Sequence, residues 1–145
     1  MLLRVHAGTV TIAHGGYWVL QDADPTAWNG ALESTFAGVA GPDGLYLFSG
    51  RYSGDIAVSV EVHDSPPPPV SGWDKSVDLE ACFPSRDAAA FCPEFVPSPE
   101  LDAIQLPARF VTVRVMVNGW DEPASTEGGP ESWLLQVWPS TTRRS

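Results

Sequence analysis

Ile56-Ala57-Val58-Ser59-Val60-Glu61-Val62-His63 alternates aliphatic residues with small or polar ones, and a period of two sustained over such a run marks a β-strand with one buried face. The spacing predicts that Ile56, Val58, Val60 and Val62 look into a core while Ala57, Ser59, Glu61 and His63 look away from it. Phe110 to Asn118 repeats the pattern, with Val111, Val113, Val115 and Val117 set between Thr112, Arg114, Met116 and Asn118. Val77, Leu79, Ala81 and Phe83 alternate with Asp78, Glu80 and Cys82, so this third strand has an acidic face. Strands with one apolar face need a second layer to cover it.

Working outward, residues 9–13 and 17–21 are apolar-rich runs on either side of His14-Gly15-Gly16, read as a hairpin or as one bulged strand. Residues 35–40 and 45–49 flank Gly41-Pro42-Asp43-Gly44, which places Pro and Gly where a tight hairpin turn needs them. Ser65-Pro66-Pro67-Pro68-Pro69 cannot donate to a sheet ladder. Its plainer reading is a stiff crossover between sheets, and its sharper one a polyproline ligand for an aromatic groove. Residues 131–139 form the last strand, expected to pair antiparallel with Phe110 to Asn118 because the two runs follow one another across a local loop. The 14 Pro and 13 Gly punctuate many short elements and leave no long helical pattern. The predicted fold is all-β, an antiparallel β-sandwich of jelly-roll-like form with eight or nine strands and little helix. Residues 1–139 are expected to make one domain, with a flexible tail at 140–145.

A chain of 145 residues, 43% of them hydrophobic, can bury roughly 70% of its unfolded surface without metal or disulfide staples. Cys82 and Cys92 are the two cysteines. A hairpin of residues 77–83 and 88–92 around Pro84-Ser85-Arg86-Asp87 would bring them close enough for a disulfide, whereas a reducing compartment favours two buried thiols. Acidic side chains outnumber basic ones 18 to 8, a net charge of −10. That field repels nucleic-acid phosphates and anionic lipid and draws in a basic protein. The bland alternative is that the charge serves solubility alone. No apolar run approaches the 18 or so residues of a membrane helix, and the first residues lack a signal-peptide pattern. Seven Arg against one Lys and only two Asn suggest a GC-rich bacterial coding bias, and the expected compartment is the cytoplasm.

His6, His14 and His63 invite a metal or catalytic reading, provided they converge with carboxylates such as Asp22, Asp24, Asp121, Glu61 or Asp64. No His-x-His, HExxH or Gly-x-Ser-x-Gly spacing is present, so no catalytic residue, metal ligand or cofactor is assigned. The rival to a binding role is a small metal- or ligand-binding sandwich enzyme using His63, His14 and nearby carboxylates. Six Trp are many for this length, and Trp28, Trp73 and Trp120 fall in loops beside acidic residues. Aromatic anchors amid charge make a protein-binding patch, so the candidate partner-binding residues are Asp22, Asp24, Trp28, Trp73, Asp74, Trp120, Asp121 and Glu122. Against this stands the plain reading in which each Trp caps an open end of the core.

The series from Gly54 to Asp64, the Pro run, Gly72-Trp73-Asp74, Gly119-Trp120-Asp121-Glu122-Pro123 and residues 131–139 resembles a group of bacterial proteins of similar length to which no activity is assigned. Tyr17-Trp18-Val19-Leu20-Gln21-Asp22, Pro25, Trp28, Gly44-Leu45-Tyr46-Leu47-Phe48 and Leu106-Pro107 are similar to the competence protein J family, small acidic inhibitors of a DNA-entry nuclease. The resemblance implies a non-enzymatic inhibitor or immunity protein that masks a basic nuclease or toxin. It carries no individual inhibitory residue across to this chain.

Overall fold

The computed structural model describes residues 1–12, 17–22, 33–34, 38–41, 44–48, 54–83, 85–91, 99–119 and 131–140. Eleven strands run through them: β1 (Leu2–Ile12), β2 (Tyr17–Asp22), β3 (Glu33–Ser34), β4 (Gly38–Gly41), β5 (Gly44–Phe48), β6 (Gly54–His63), β7 (Lys75–Cys82), β8 (Asp87–Phe91), β9 (Ile104–Gln105), β10 (Phe110–Asn118) and β11 (Ser132–Pro139). A single 3-10 turn, Pro99–Leu101, is the helical content among the described residues. The described residues are mostly strand, with more strands than the eight or nine expected because β3 and β9, two residues each, carry no readable period.

The strands form a five-stranded sheet in the order β1-β6-β11-β10-β7 and a six-stranded one in the order β3-β4-β5-β2-β8-β9. The expected antiparallel pairing of β10 with β11 is present, with Val113 opposite Val137, and so is the β4–β5 hairpin. The expectation of a wholly antiparallel fold is corrected by β11, which runs parallel to β6. The reading of residues 9–21 as a hairpin or one bulged strand, and the hairpin considered for residues 77–92, are also corrected. β1 and β2 lie in different sheets, as do β7 and β8, so each pair is joined by a change of sheet. The hairpin that would have brought Cys82 towards Cys92 therefore does not form, and Cys92 lies outside the described residues.

Period two decides the faces. Ile56, Val58, Val60 and Val62 are at most 2% exposed, and Val111, Val113, Val115, Val117, Leu135 and Val137 are fully buried. Partners directly across a ladder share a face, so register lines these side chains into rows, such as Leu79–Val113–Val137–Val62. Leu20, Leu45, Leu47, Ala88 and Ala90 of the second sheet complete the same core cluster.

The middle of the opposite face of the five-stranded sheet is covered as well, while Ala57, Ser76, Asp78 and Glu80 on it stay exposed. Met116, Gln136, Trp138 and His63 all lie on it by register, yet all are buried. The connection from β6 to β7 crosses this face, with Pro69 and Val70 beside Asp78 and Arg114. These strands run in the same direction with β11 and β10 between them, so residues 64–74 must return diagonally across a face. By register the return is five residues along the sheet and three strand spacings across it, roughly 22 Å. A polyproline chain of that length reaches roughly 34 Å, enough to arch over large side chains. The proline run is thus a strap over one face of one sheet, which corrects its reading as a passage between sheets.

Candidate functional site

The strap ends in a built corner. The Asp74 backbone amide donates to Asn118 Oδ1 at 2.7 Å, and the Gly119 amide donates to Asp74 Oδ2 at 2.9 Å. Gly119 turns the chain out of β10 with φ of +78°, a left-handed value that glycine adopts without steric cost. Asp74 is exposed and Trp73 is half-buried. The corner therefore sets Asp74, next to Trp73 in the chain, directly against Asn118 and Gly119, joining two stretches far apart in sequence.

The other predicted residues fall elsewhere. Asp22 ends β2 opposite Ala88 of β8, and the turn just before β8 is tied to the far end of β7 by the Arg86 amide donating to Phe83 O. Asp22 and Asp74 thus sit towards opposite ends of β7. Asp24, Trp28, Trp120, Asp121 and Glu122 lie outside the described residues.

Beneath the strap runs a polar row that crosses the sheet in register: Asp78, Arg114, Gln136, Glu61. Arg114 Nε donates to Asp78 Oδ1 at 3.1 Å, and its guanidinium lies 4.9 Å from the Trp138 ring. Gln136 Nε2 donates to Glu61 Oε1 at 3.0 Å, and the same oxygen meets His63 Nε2 at 3.0 Å. His63 does face away from the valines, as the period predicts, but it is engaged with Glu61 and covered. Among the described residues no three His, Cys, Asp or Glu side chains gather in a way that could hold a metal ion. His14 lies outside them.

The sequence reading missed the other edge of the sheet. Strand β1 begins at Leu2, earlier than its apolar run at residues 9–13 suggested, and places Arg4 and His6 opposite Val62 and Val60 on the core-facing side. The Arg4 guanidinium donates to Gln105 O at 2.9 Å. Partial burial, with the Arg4 charge nearby, holds the His6 imidazole below its ordinary 6.5. The signal lay in the period: Arg4, His6, Gly8 and Val10 occupy alternate positions of one strand.

No family model and no curated protein matches the chain. Two solved structures do. One, crocagin biosynthetic gene J, is 14% identical with a TM-score of 0.60, over 95% of this chain and 99% of its own. The other is ComJ from Bacillus subtilis, inhibitor of the DNA degrading activity of NucA, 10% identical with a TM-score of 0.64, over 97% of this chain and 98% of its own. At these identities the likeness is one of fold.

Proposed function

We propose that this protein is a non-enzymatic, acidic protein-binding module that inhibits a basic nuclease or toxin in the bacterial cytoplasm. The observation that carries the reading is the end-to-end likeness of fold to the nuclease inhibitor ComJ, in a chain whose net charge of −10 suits a cationic partner. In this reading the two sheets form one sandwich domain over residues 1–139. It presents Trp73 and Asp74 with Trp120, Asp121 and Glu122 at one end, and Asp22, Asp24 and Trp28 as a second patch. An inhibitor needs no chemistry of its own. It needs an aromatic anchor for affinity and negative charge to speed encounter and fix orientation.

Co-expression of the tagged protein with a nuclease encoded beside its gene tests the reading. A stoichiometric complex in which DNA cleavage is suppressed supports it. Recovery of the module alone, with cleavage undiminished, overturns it.

A further inference from the structure

Sheets with open edges invite pairing with other chains, and proteins blunt such edges with charge, proline or brevity. Among the described strands four stand at an edge. Strands β3 and β9 are two residues long, and β7 carries Lys75, Asp78 and Glu80. The fourth, β1, is guarded least, with a single bulge between Leu2 and Arg4. It runs eleven residues, Leu2 to Ile12, with Arg4 as its one charge and no proline. Leu2, Leu3 and Val5 are 46%, 41% and 52% exposed.

A groove opens beside this edge. Two adjoining cavities of about 610 and 490 Å³ lie between β1 and the β8–β9 side of the other sheet, sharing Arg4, Asp87 and Gln105 in their walls. Here the valine rows of the core give way to Arg4 and His6. The cations in the groove bond to main-chain carbonyls: Arg4 donates to Gln105 O, and Arg86 Nη2 to Pro107 O at 3.3 Å. The carboxylates of Asp87 and Asp102 make no side-chain hydrogen bond or ion pair among the described residues, and His6 Nε2 is buried without a partner. Arg86 at the rim holds a left-handed φ of +65°, a conformation a non-glycine residue keeps only when its surroundings impose it.

We propose that the β1 edge and the groove beside it take up an extended segment of a protein partner, added as a further strand of the sheet, with a lysine or arginine reaching towards Asp87 and Asp102. This deepens the inhibitor reading and rests on its basic protein partner. Main-chain hydrogen bonds along β1 supply affinity, and alternate side chains entering the groove supply selectivity. A second copy is the poorer occupant, because self-pairing sets two chains of net charge −10 side by side.

The test uses the full chain and fluorescein-labelled decapeptides that alternate Val or Thr with Lys, read by anisotropy. A counterpart with Glu in place of Lys and one N-methylated at alternate amides serve as controls. Saturable binding is expected for the Lys peptide, roughly tenfold weaker for the Glu peptide, lost on N-methylation, and weakened by Val5→Lys and Asp87→Asn. No saturable binding, or binding indifferent to N-methylation and to Val5→Lys, overturns the proposal. So does a dimer in sedimentation that Val5→Lys dissolves, since self-pairing would then explain the edge. The two readings fail separately. A nuclease complex unweakened by Val5→Lys overturns strand addition and leaves inhibition standing, whereas peptide binding with no nuclease partner overturns inhibition and leaves the edge site standing.

Discussion

Glu61 Oε1 serves two buried neighbours, the amide of Gln136 and the imidazole of His63, which are 3% and 7% exposed. Replacing it with alanine leaves both without that partner under the strap, and a buried polar group deprived of its bond costs more than the bond contributes. Glu61→Ala is expected to lower stability by about 2 kcal/mol in urea unfolding. Glu61→Gln, which keeps an oxygen for Gln136, should cost less than half as much. His6 makes a prediction in pH. Its imidazole is held below the ordinary 6.5 by desolvation first and by Arg4 second, so as pH falls through 6.5 the unfolded chain takes up the proton before the folded one does. The stability His6 contributes is full above 6.5 and declines as pH falls from there towards its folded value. Urea midpoints measured from about pH 7 to pH 5 should fall with a slope that His6→Asn reduces.

Each strand with a clean period of two was legible because one face had to be greasy. Strands β6, β7, β10 and β11 carry their burial in their alternation, and β11 is the middle of its sheet. Leu135→Ala there is expected to cost about 3 kcal/mol, read as a shift in the urea midpoint at unchanged slope. What the sequence left hidden was connection. Whether β1 turns back on β2, or β7 on β8, depends on which sheet each strand joins, and alternation is the same in either. The strap was legible as stiff but not as a cover, since nothing in Pro66 to Pro69 tells which strands flank it. Met116 and Trp138 face outward by period and are nevertheless buried. Exchanging Pro66 to Pro69 for Gly and Ser at equal length should destabilise by about 2 kcal/mol in total, because the unfolded chain gains freedom. Strand β1 has its own constraint at Gly8, where an added Cβ would come within 2.5 Å of Glu100 Cβ on the 3-10 turn. Gly8→Ala is therefore expected to cost 1 to 3 kcal/mol, an approximate range for overpacking, in the same assay.

Across the whole molecule, the corner at Asp74 and Gly119, the open edge of β1 and the surplus of ten negative charges all suit work done by contact. Trp73 and Asp74 are legible in the sequence as a loop aromatic beside a carboxylate. The hydrogen bonds of Asp74 to Asn118 and Gly119 are not legible there, because they depend on the return of the strap across the sheet. Arg4 and Asp87 carry no signal of their own in the sequence, and His6 reads there only as a metal or catalytic candidate, because the groove needs both sheets to exist. Association driven by charge weakens as salt screens it, over about 10 Å at 0.1 M and about 3 Å at 1 M. The most direct measurement is therefore DNA cleavage by the co-expressed nuclease, titrated with this protein at low and at high salt. Suppression should be complete near one equivalent at low salt and relieved as salt rises. Cleavage that proceeds at its full rate with the protein in excess at low salt would contradict it.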